Sequence, residues 1–285
     1  MIRVENLFYQ YPKNKQDTLK QINFDVKKGE IFGFLGPSGA GKSTLQKILT
    51  GTLTDYRGEV TVMDSSLKRL SEDYYNKIGV DFEFPNFYGK FTALENLTYF
   101  SSLYQQESLD PQPLLSRMNL WEDARKPVAR FSKGMKTRLG FIRCLLHKPD
   151  LLFLDEPTSG LDPSNARILK DMIKELQEAG KTIILTTHNM HDAEELCDRV
   201  AFIVDGEIRA LDSPKAFRHS VQENKVHYTF LNPQNNEEQR TLPVNDLYSD
   251  PHFQEMSKAK KVIRVHSIEQ SLEDVFISLT GRRLQ

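Results

Sequence analysis

Residues 2–8 and 19–27 alternate apolar and polar positions, the period-two pattern of strands buried on one face. Lys27-Lys28-Gly29-Glu30 reads as a turn after the second of them. Ile31-Phe32-Gly33-Phe34-Leu35 is wholly apolar and short. That pattern predicts a strand buried on both faces at the centre of a parallel sheet. Residues 43–53 read as a helix. Further apolar strands are predicted at 151–154, 182–186 and 200–204, with helices over 164–179 and 190–197 between them. Strands alternating with helices predict a mostly parallel sheet covered by helices. Asp205-Gly206, set between Val204 and Glu207-Ile208, predicts a hairpin that closes this region.

The pattern changes twice along the chain. Ten of the 28 aromatic side chains fall between Tyr74 and Tyr104, within residues 72–130 that otherwise read as a helical lobe. They either pack that lobe or line a docking groove, since exposed aromatic patches mark interaction sites. After about Pro214, Val226, Tyr228 and Phe230 alternate on one face of a strand at 225–231. Residues 232–240 are polar and predict an exposed loop. A second strand is predicted at 261–266 and a short amphipathic helix at 271–279. The expected fold class is therefore α/β, with a mostly parallel sheet, an antiparallel β subdomain, a helical lobe at about 85–145 and a small α+β C-terminal domain. The expected boundaries are 1–215 and 216–285.

A chain of 285 residues suits one sizeable domain plus an appendage. With 39% apolar and 27% charged residues it has the composition of an ordinary soluble protein. A formal net charge of −1 gives no global field toward nucleic acid or an anionic membrane. Cys144 and Cys197 cannot build a disulfide framework and sit in apolar surroundings, which predicts buried packing. The first residues lack a basic region followed by an apolar core, so no signal peptide is expected. No run reaches the roughly 18 apolar residues of a membrane helix. The expected location is cytosolic.

The chemistry begins with Gly36-Pro37-Ser38-Gly39-Ala40-Gly41-Lys42-Ser43-Thr44, which fits G-x-x-x-x-G-K-S/T between a strand and a helix. Glycines let backbone N–H groups turn toward phosphate oxygens, and the helix adds its positive end. Lys42 would reach the β- and γ-phosphates and Ser43 would ligate Mg²⁺. Asp155, at the end of an apolar strand, is a second Mg²⁺ candidate. This much says only that the chain binds a nucleotide.

Two further motifs narrow it. Phe131-Ser132-Lys133-Gly134-Met135 lies about five helical turns before Leu151-Leu152-Phe153-Leu154-Asp155-Glu156-Pro157, which leads to Ser159-Gly160-Leu161-Asp162. In this order the motifs resemble the nucleotide-binding subunit of an ABC transporter, over roughly residues 2–215. The resemblance implies a P-loop ATPase core using ATP and Mg²⁺. It implies that Lys42, Glu156 and His188 are catalytic, Glu156 as the base and His188 as the γ-phosphate switch. Gly36, Pro37, Ser38, Gly39, Ala40, Gly41, Lys42, Ser43 and Thr44 would hold the phosphates, Thr44 at the α-phosphate. Tyr11 would stack on adenine, with Tyr9 as the alternative two residues away. Ser132 sits where a helix N-cap would be; in the family it and Gly134 bind the γ-phosphate held by the opposite subunit. Asp162 matches the loop that crosses the dimer axis.

The sequence departs from the family at two positions. Lys133 stands where glycine is common; it either adds a cation near the partner's γ-phosphate or is solvated. Glu83 stands where glutamine is usual; it would join Ser43 and Asp155 at the metal, and two close carboxylates bind the metal tighter or raise one pKa. Ser271-Leu272-Glu273-Asp274-Val275-Phe276 is similar to a segment of drug- and antibiotic-resistance exporter ATPases. The implied partners are a separate transmembrane permease and a second copy or a related ABC ATPase, with no nucleic acid, on the inner face of the cell membrane. The alternatives are a soluble ABC ATPase acting on DNA or ribosomes, and a regulatory subunit that does not hydrolyse ATP.

Overall fold

The alternating and apolar segments become strands in a computed structural model that describes residues 1–83, 86–220, 225–268 and 271–282. The chain runs β1 (Ile2–Tyr9), β2 (Leu19–Val26), β3 (Ile31–Leu35), α1 (Lys42–Leu49), β4 (Arg57–Val62), β5 (Ser65–Ser66), α2 (Glu72–Lys77) and β6 (Ile78–Asp81). It continues through α3 (Ala93–Ser101), α4 (Pro111–Arg117), α5 (Lys133–Leu145), β7 (Leu151–Asp155), α6 (Pro163–Glu178), β8 (Thr182–Thr187), α7 (Met190–Leu196), β9 (Arg199–Val204) and β10 (Glu207–Asp212). The last elements are α8 (Pro214–Ser220), β11 (Lys225–Leu231), β12 (Glu237–Pro243), α9 (Pro251–Lys258), β13 (Val262–Ile268) and α10 (Leu272–Thr280). They divide into two compact units, Met1–Pro214 and Lys215–Arg282.

In the first unit, six strands form a sheet in the order β10-β9-β3-β8-β7-β6. The pairings β9–β3, β3–β8, β8–β7 and β7–β6 are parallel, and only β10 runs antiparallel, through the hairpin at Asp205-Gly206. All five residues of β3 are buried because strands cover both its edges and side chains both its faces. A second sheet, β2-β1-β4-β5, is antiparallel. Phe24 on β2 stacks on Phe32 at 5.6 Å and meets Phe34 edge-on at 5.1 Å. These rings bring both sheets into one core, and each such pair contributes about 0.5–1.5 kcal/mol beyond its buried area. Because the large sheet is parallel, the carboxyl ends of β3, β7 and β8 lie at one edge, where ligands bind in open α/β sheets.

The lobe between β6 and β7 carries α3, α4 and α5, each with a side-chain N-cap. Thr92 and Glu95 form a capping box on α3, and Asp110 and Ser132 cap α4 and α5. In the second unit β11 lies between β12 and β13, and Val226, Tyr228 and Phe230 are buried with Leu247, Phe253 and Met256 packed around them. Ser271 and Asp274 cap α10, which ends at Gly281 (φ 67°) and buries Leu272, Val275 and Phe276.

Three expectations change. The first helix ends at Leu49 rather than residue 53. Residues 237–240 are strand, not loop. Every residue of β12 except Leu242 is exposed, so no hydrophobic alternation marked it. Its pairing to β11 comes from the turn, where Asn232 Oδ1 accepts from the N–H groups of Gln234 and Asn236 at 2.9 Å each. Finally, β4 and β6 went unpredicted. The four-residue β6 is too short to show a period, yet it completes the main sheet. Of the ten clustered aromatic residues Phe84 lies outside the described residues; Tyr74 is core, whereas Tyr75, Phe82, Tyr88, Phe91 and Tyr99 are exposed. No helix among the described residues is long and apolar enough to cross a membrane.

Candidate active site

The loop from Gly36 to Gly41 joins β3 to α1. A methyl group at Gly36 would sit 2.1 Å from the Ile203 carbonyl oxygen, so no other residue fits there. Gly41 has φ 110° and forms the N-cap of α1, whose first residue is Lys42. Ser38, Gly39 and Ser43 are exposed, Pro37 is half-buried, and Ala40 and Thr44 are buried. The Lys42 ammonium donates to the carbonyls of Gly36 at 2.7 Å and Pro37 at 3.1 Å. Burial lowers its pKa, while the charges of Glu156, Asp155 and Glu83 pull it back up. Tyr9 is in the core and Tyr11 is half-buried beside the loop. The two rings meet edge-on at 4.9 Å, and Tyr11 Oη lies 3.2 Å from Thr44 Oγ1.

Asp155 ends β7 and Glu156 follows it. Thr186 Oγ1 donates to Asp155 Oδ1. The Asp155 carboxyl is pushed above its ordinary range by burial first, then by Glu156 and Glu83; the Thr186 hydrogen bond and Lys42 oppose this. Glu156 adopts φ 51°, a left-handed conformation that costs a non-glycine residue of order 1–3 kcal/mol. The strained backbone is held by Glu156 N–H donating to Thr186 O at 2.9 Å. Its side chain is held too: Oε1 accepts from His188 N–H at 2.9 Å and from His188 Nδ1 at 2.7 Å, and Oε2 from Thr187 Oγ1 at 3.2 Å. The carboxylate is 11% exposed and the His188 side chain 62%, so the histidine forms the outer rim.

Ser132 caps α5, its Oγ accepting from Met135 N–H at 3.2 Å. Gly134 packs so tightly that a methyl there would be 2.7 Å from Gly160 O. The Lys133 ammonium donates to Ser159 Oγ at 3.0 Å, its stem lying over Gly160, while the residue stays exposed to solvent. Asp162 caps α6, with Asn165 N–H on Oδ1 at 3.0 Å and Asn165 Nδ2 on Oδ2 at 2.5 Å.

The structure thus brings Lys42, Glu83, Asp155, Glu156 and His188 into one charged cluster. Ser132, Gly134 and Asp162 lie in another, and among the described residues no side-chain hydrogen bond or ion pair links them to Lys42, Asp155 or Ser43. The sequence reading missed Thr186, Thr187 and Gln46. Both threonines read only as strand formers, yet they hold Asp155 and Glu156. Gln46 on α1 accepts from Thr186 Oγ1 at 3.4 Å, while its buried Nε2 has no partner.

Comparison with known proteins gives the family. Residues 19–159 match the family described as ABC transporter. A fluoroquinolones export ATP-binding protein of Mycobacterium tuberculosis is 48% identical over 100% of this chain and 94% of its own length. The bacitracin transport ATP-binding protein of Bacillus licheniformis is 32% identical over 93% of each. A solved dimeric ATP-binding cassette in a post-hydrolysis state, bound to ADP and Pi, superposes with TM-score 0.69 over 75% of this chain and 98% of its own, at 26% identity. The chain belongs to the ABC transporter family and is one of its ATPases.

Proposed function

We propose that this ATPase drives export of an antibiotic-like compound through a separate membrane permease, by closing as a dimer on two MgATP. The observation that carries the reading is Glu156 held by His188 and Thr187 beside Asp155 and Lys42 at one sheet edge. Tyr11, the less buried ring of its pair, would stack on adenine, and the loop N–H groups with Lys42 would bind the phosphates. Glu156 would take the proton of the attacking water as its oxygen bonds to the γ-phosphorus and the bond to the bridging oxygen breaks. His188 would hold that carboxylate and contact the γ-phosphate.

The residues also fit a metal. Glu83, Asp155 and Glu156 crowd one lysine, and the pKa of Asp155 is raised by burial first and then by Glu156 and Glu83, an excess of negative charge that a hard dication would neutralise. Ser43, Asp155 and Glu83 would hold Mg²⁺, which supplies charge neutralisation at the phosphates. Ser132, Gly134 and Asp162 would serve the nucleotide of the second copy. The permease would dock in a cavity of about 630 Å³ lined by Phe82, Phe87, Tyr88, Phe100, Tyr104 and Arg143. Two relatives whose names state export or transport of antibiotics support the cargo class.

The test is capture of tagged Glu156→Gln protein with MgATP from detergent-solubilised membranes of its host. Recovery of a polytopic membrane protein supports the reading. Recovery of ribosomes or DNA instead turns it to a soluble ATPase acting on them.

A further inference from the structure

One face of α5 is tied to the loop that leads into α6. Lys133 reaches Ser159 Oγ, and Thr137 Oγ1 donates to Ser159 O at 3.4 Å. Arg138 on this face is also buried, 8% exposed. Its Nη1 donates to Met118 O at 2.5 Å and to Asn165 Oδ1 at 2.9 Å, and its Nε to Gly134 O at 3.3 Å. Asn165 in turn grips both oxygens of Asp162. Met118 follows α4, Gly134 belongs to the turn that Ser132 caps, and Asn165 opens α6. A single guanidinium therefore ties the first turn of its own helix to two other pieces of chain.

Its partners are unusual for a buried cation. All three acceptors are neutral, and no carboxylate lies within ion-pair distance of Arg138 among the described residues. Burying an ion is costly, and a well-packed apolar side chain often fills such a site at least as stably. Burial lowers the pKa of Arg138, and only the more distant charges of Asp162 and Asp123 oppose this. The position is thus poorly explained by packing alone, whereas its fork of donors suits holding loops in register.

We propose that Arg138 is a positioning residue that fixes the Ser132–Gly134 turn and Asp162 as one preformed surface for the second copy. The proposal rests on the dimer reading above. It predicts that breaking the link leaves nucleotide binding by the single chain intact and weakens only ATP-driven association.

The experiment uses full-length protein carrying Glu156→Gln, with Arg138→Met, Arg138→Lys or Asn165→Ala added. ADP affinity is measured calorimetrically and ATP-dependent dimerisation by sedimentation. Arg138→Met and Asn165→Ala are expected to keep ADP affinity within about twofold while the dimer constant weakens about tenfold or more. Arg138→Lys should recover part of that loss. Asn165→Ala guards against misfolding, because it cuts the link to Asp162 without removing the buried cation. Unchanged dimerisation in both variants overturns the proposal, as does ADP affinity falling in step with dimerisation. If the Glu156→Gln parent itself stays monomeric with ATP, the dimer reading fails first and the proposal with it.

Discussion

His188 grips Glu156 twice through a single carboxylate oxygen, from its backbone N–H at 2.9 Å and from Nδ1 at 2.7 Å. The ring bond requires the proton on Nδ1, which fixes the tautomer of the histidine. The Glu156 carboxylate, carried on a left-handed backbone position, is thereby aimed by His188 rather than left to rotate.

Glu156→Gln is expected to cut ATP turnover by about a hundredfold or more, the usual scale for loss of a general base. His188→Ala should cost about as much while leaving nucleotide affinity nearly unchanged, because it removes the aim and not the binding loop. Phosphate release under saturating ATP, together with nucleotide titration, checks both. Comparable turnover in either variant would reject the assigned roles.

Glu83 acts electrostatically on both Lys42 and Asp155. Glu83→Gln removes one negative charge from the cluster, so the Mg²⁺ concentration for half-maximal turnover should rise several-fold, each tenfold being about 1.4 kcal/mol. The Lys42 ammonium also loses a favourable charge. Identical Mg²⁺ curves for the parent and the Glu83→Gln variant would remove Glu83 from the metal site.

Asp81 is buried and one carboxylate oxygen has no partner. Burial pushes its pKa up to about 7, with Arg143 opposing and Asp155 adding. A raised acid binds protons more tightly when folded, so its contribution falls as pH rises from the ordinary carboxylate range toward 7. Asp81→Asn should therefore raise the thermal midpoint at pH 8 relative to the parent, and do so far less at pH 4.5. A midpoint difference independent of pH would show that Asp81 does not titrate this way.

His147 has the opposite sign. Its ring stacks on Tyr104 at 3.7 Å, Nε2 lies 2.7 Å from Ile78 O, and buried Nδ1 has no partner. Burial lowers its pKa, so the folded chain binds protons less well than the unfolded one. Stability from this group is complete above the ordinary histidine value and is lost as pH falls through it. His147→Phe keeps a stacked ring but strands the Ile78 carbonyl, which should cost about 1 kcal/mol at pH 7.5. That deficit should shrink by pH 5.5, where the parent pays to protonate His147. Denaturant unfolding at both pH values measures it, and a constant deficit would count against the effect.

Much of the site was legible because its parts are local. Gly36–Thr44 needs only a strand, a glycine turn and a helix start, and these are adjacent in the chain. The order of Ser132-Lys133-Gly134, Asp155-Glu156 and Ser159–Asp162 then identified the family. The period-two and wholly apolar runs located β1, β2, β3, β7, β8 and β9, since each buries a definite face. The polar β12 carried no such periodicity because a neighbouring strand rather than a buried face defines it, and the buried β6 is too short to show one.

Sequence alone thus determined which residues could do chemistry here: a lysine on a phosphate loop, an acidic pair at a strand end and a histidine after another strand. Tertiary structure decided how they act together. Parallel pairing of β7 with β8 puts Thr186 opposite Asp155, and the strand's end brings Thr187 and His188 onto Glu156. It also buried Tyr9 while leaving Tyr11 half-buried, linked Lys133 to Ser159, and tied the helix of Arg138 to two other segments. Those outcomes depend on contacts between residues dozens of positions apart, which a local pattern of apolar and polar side chains does not encode.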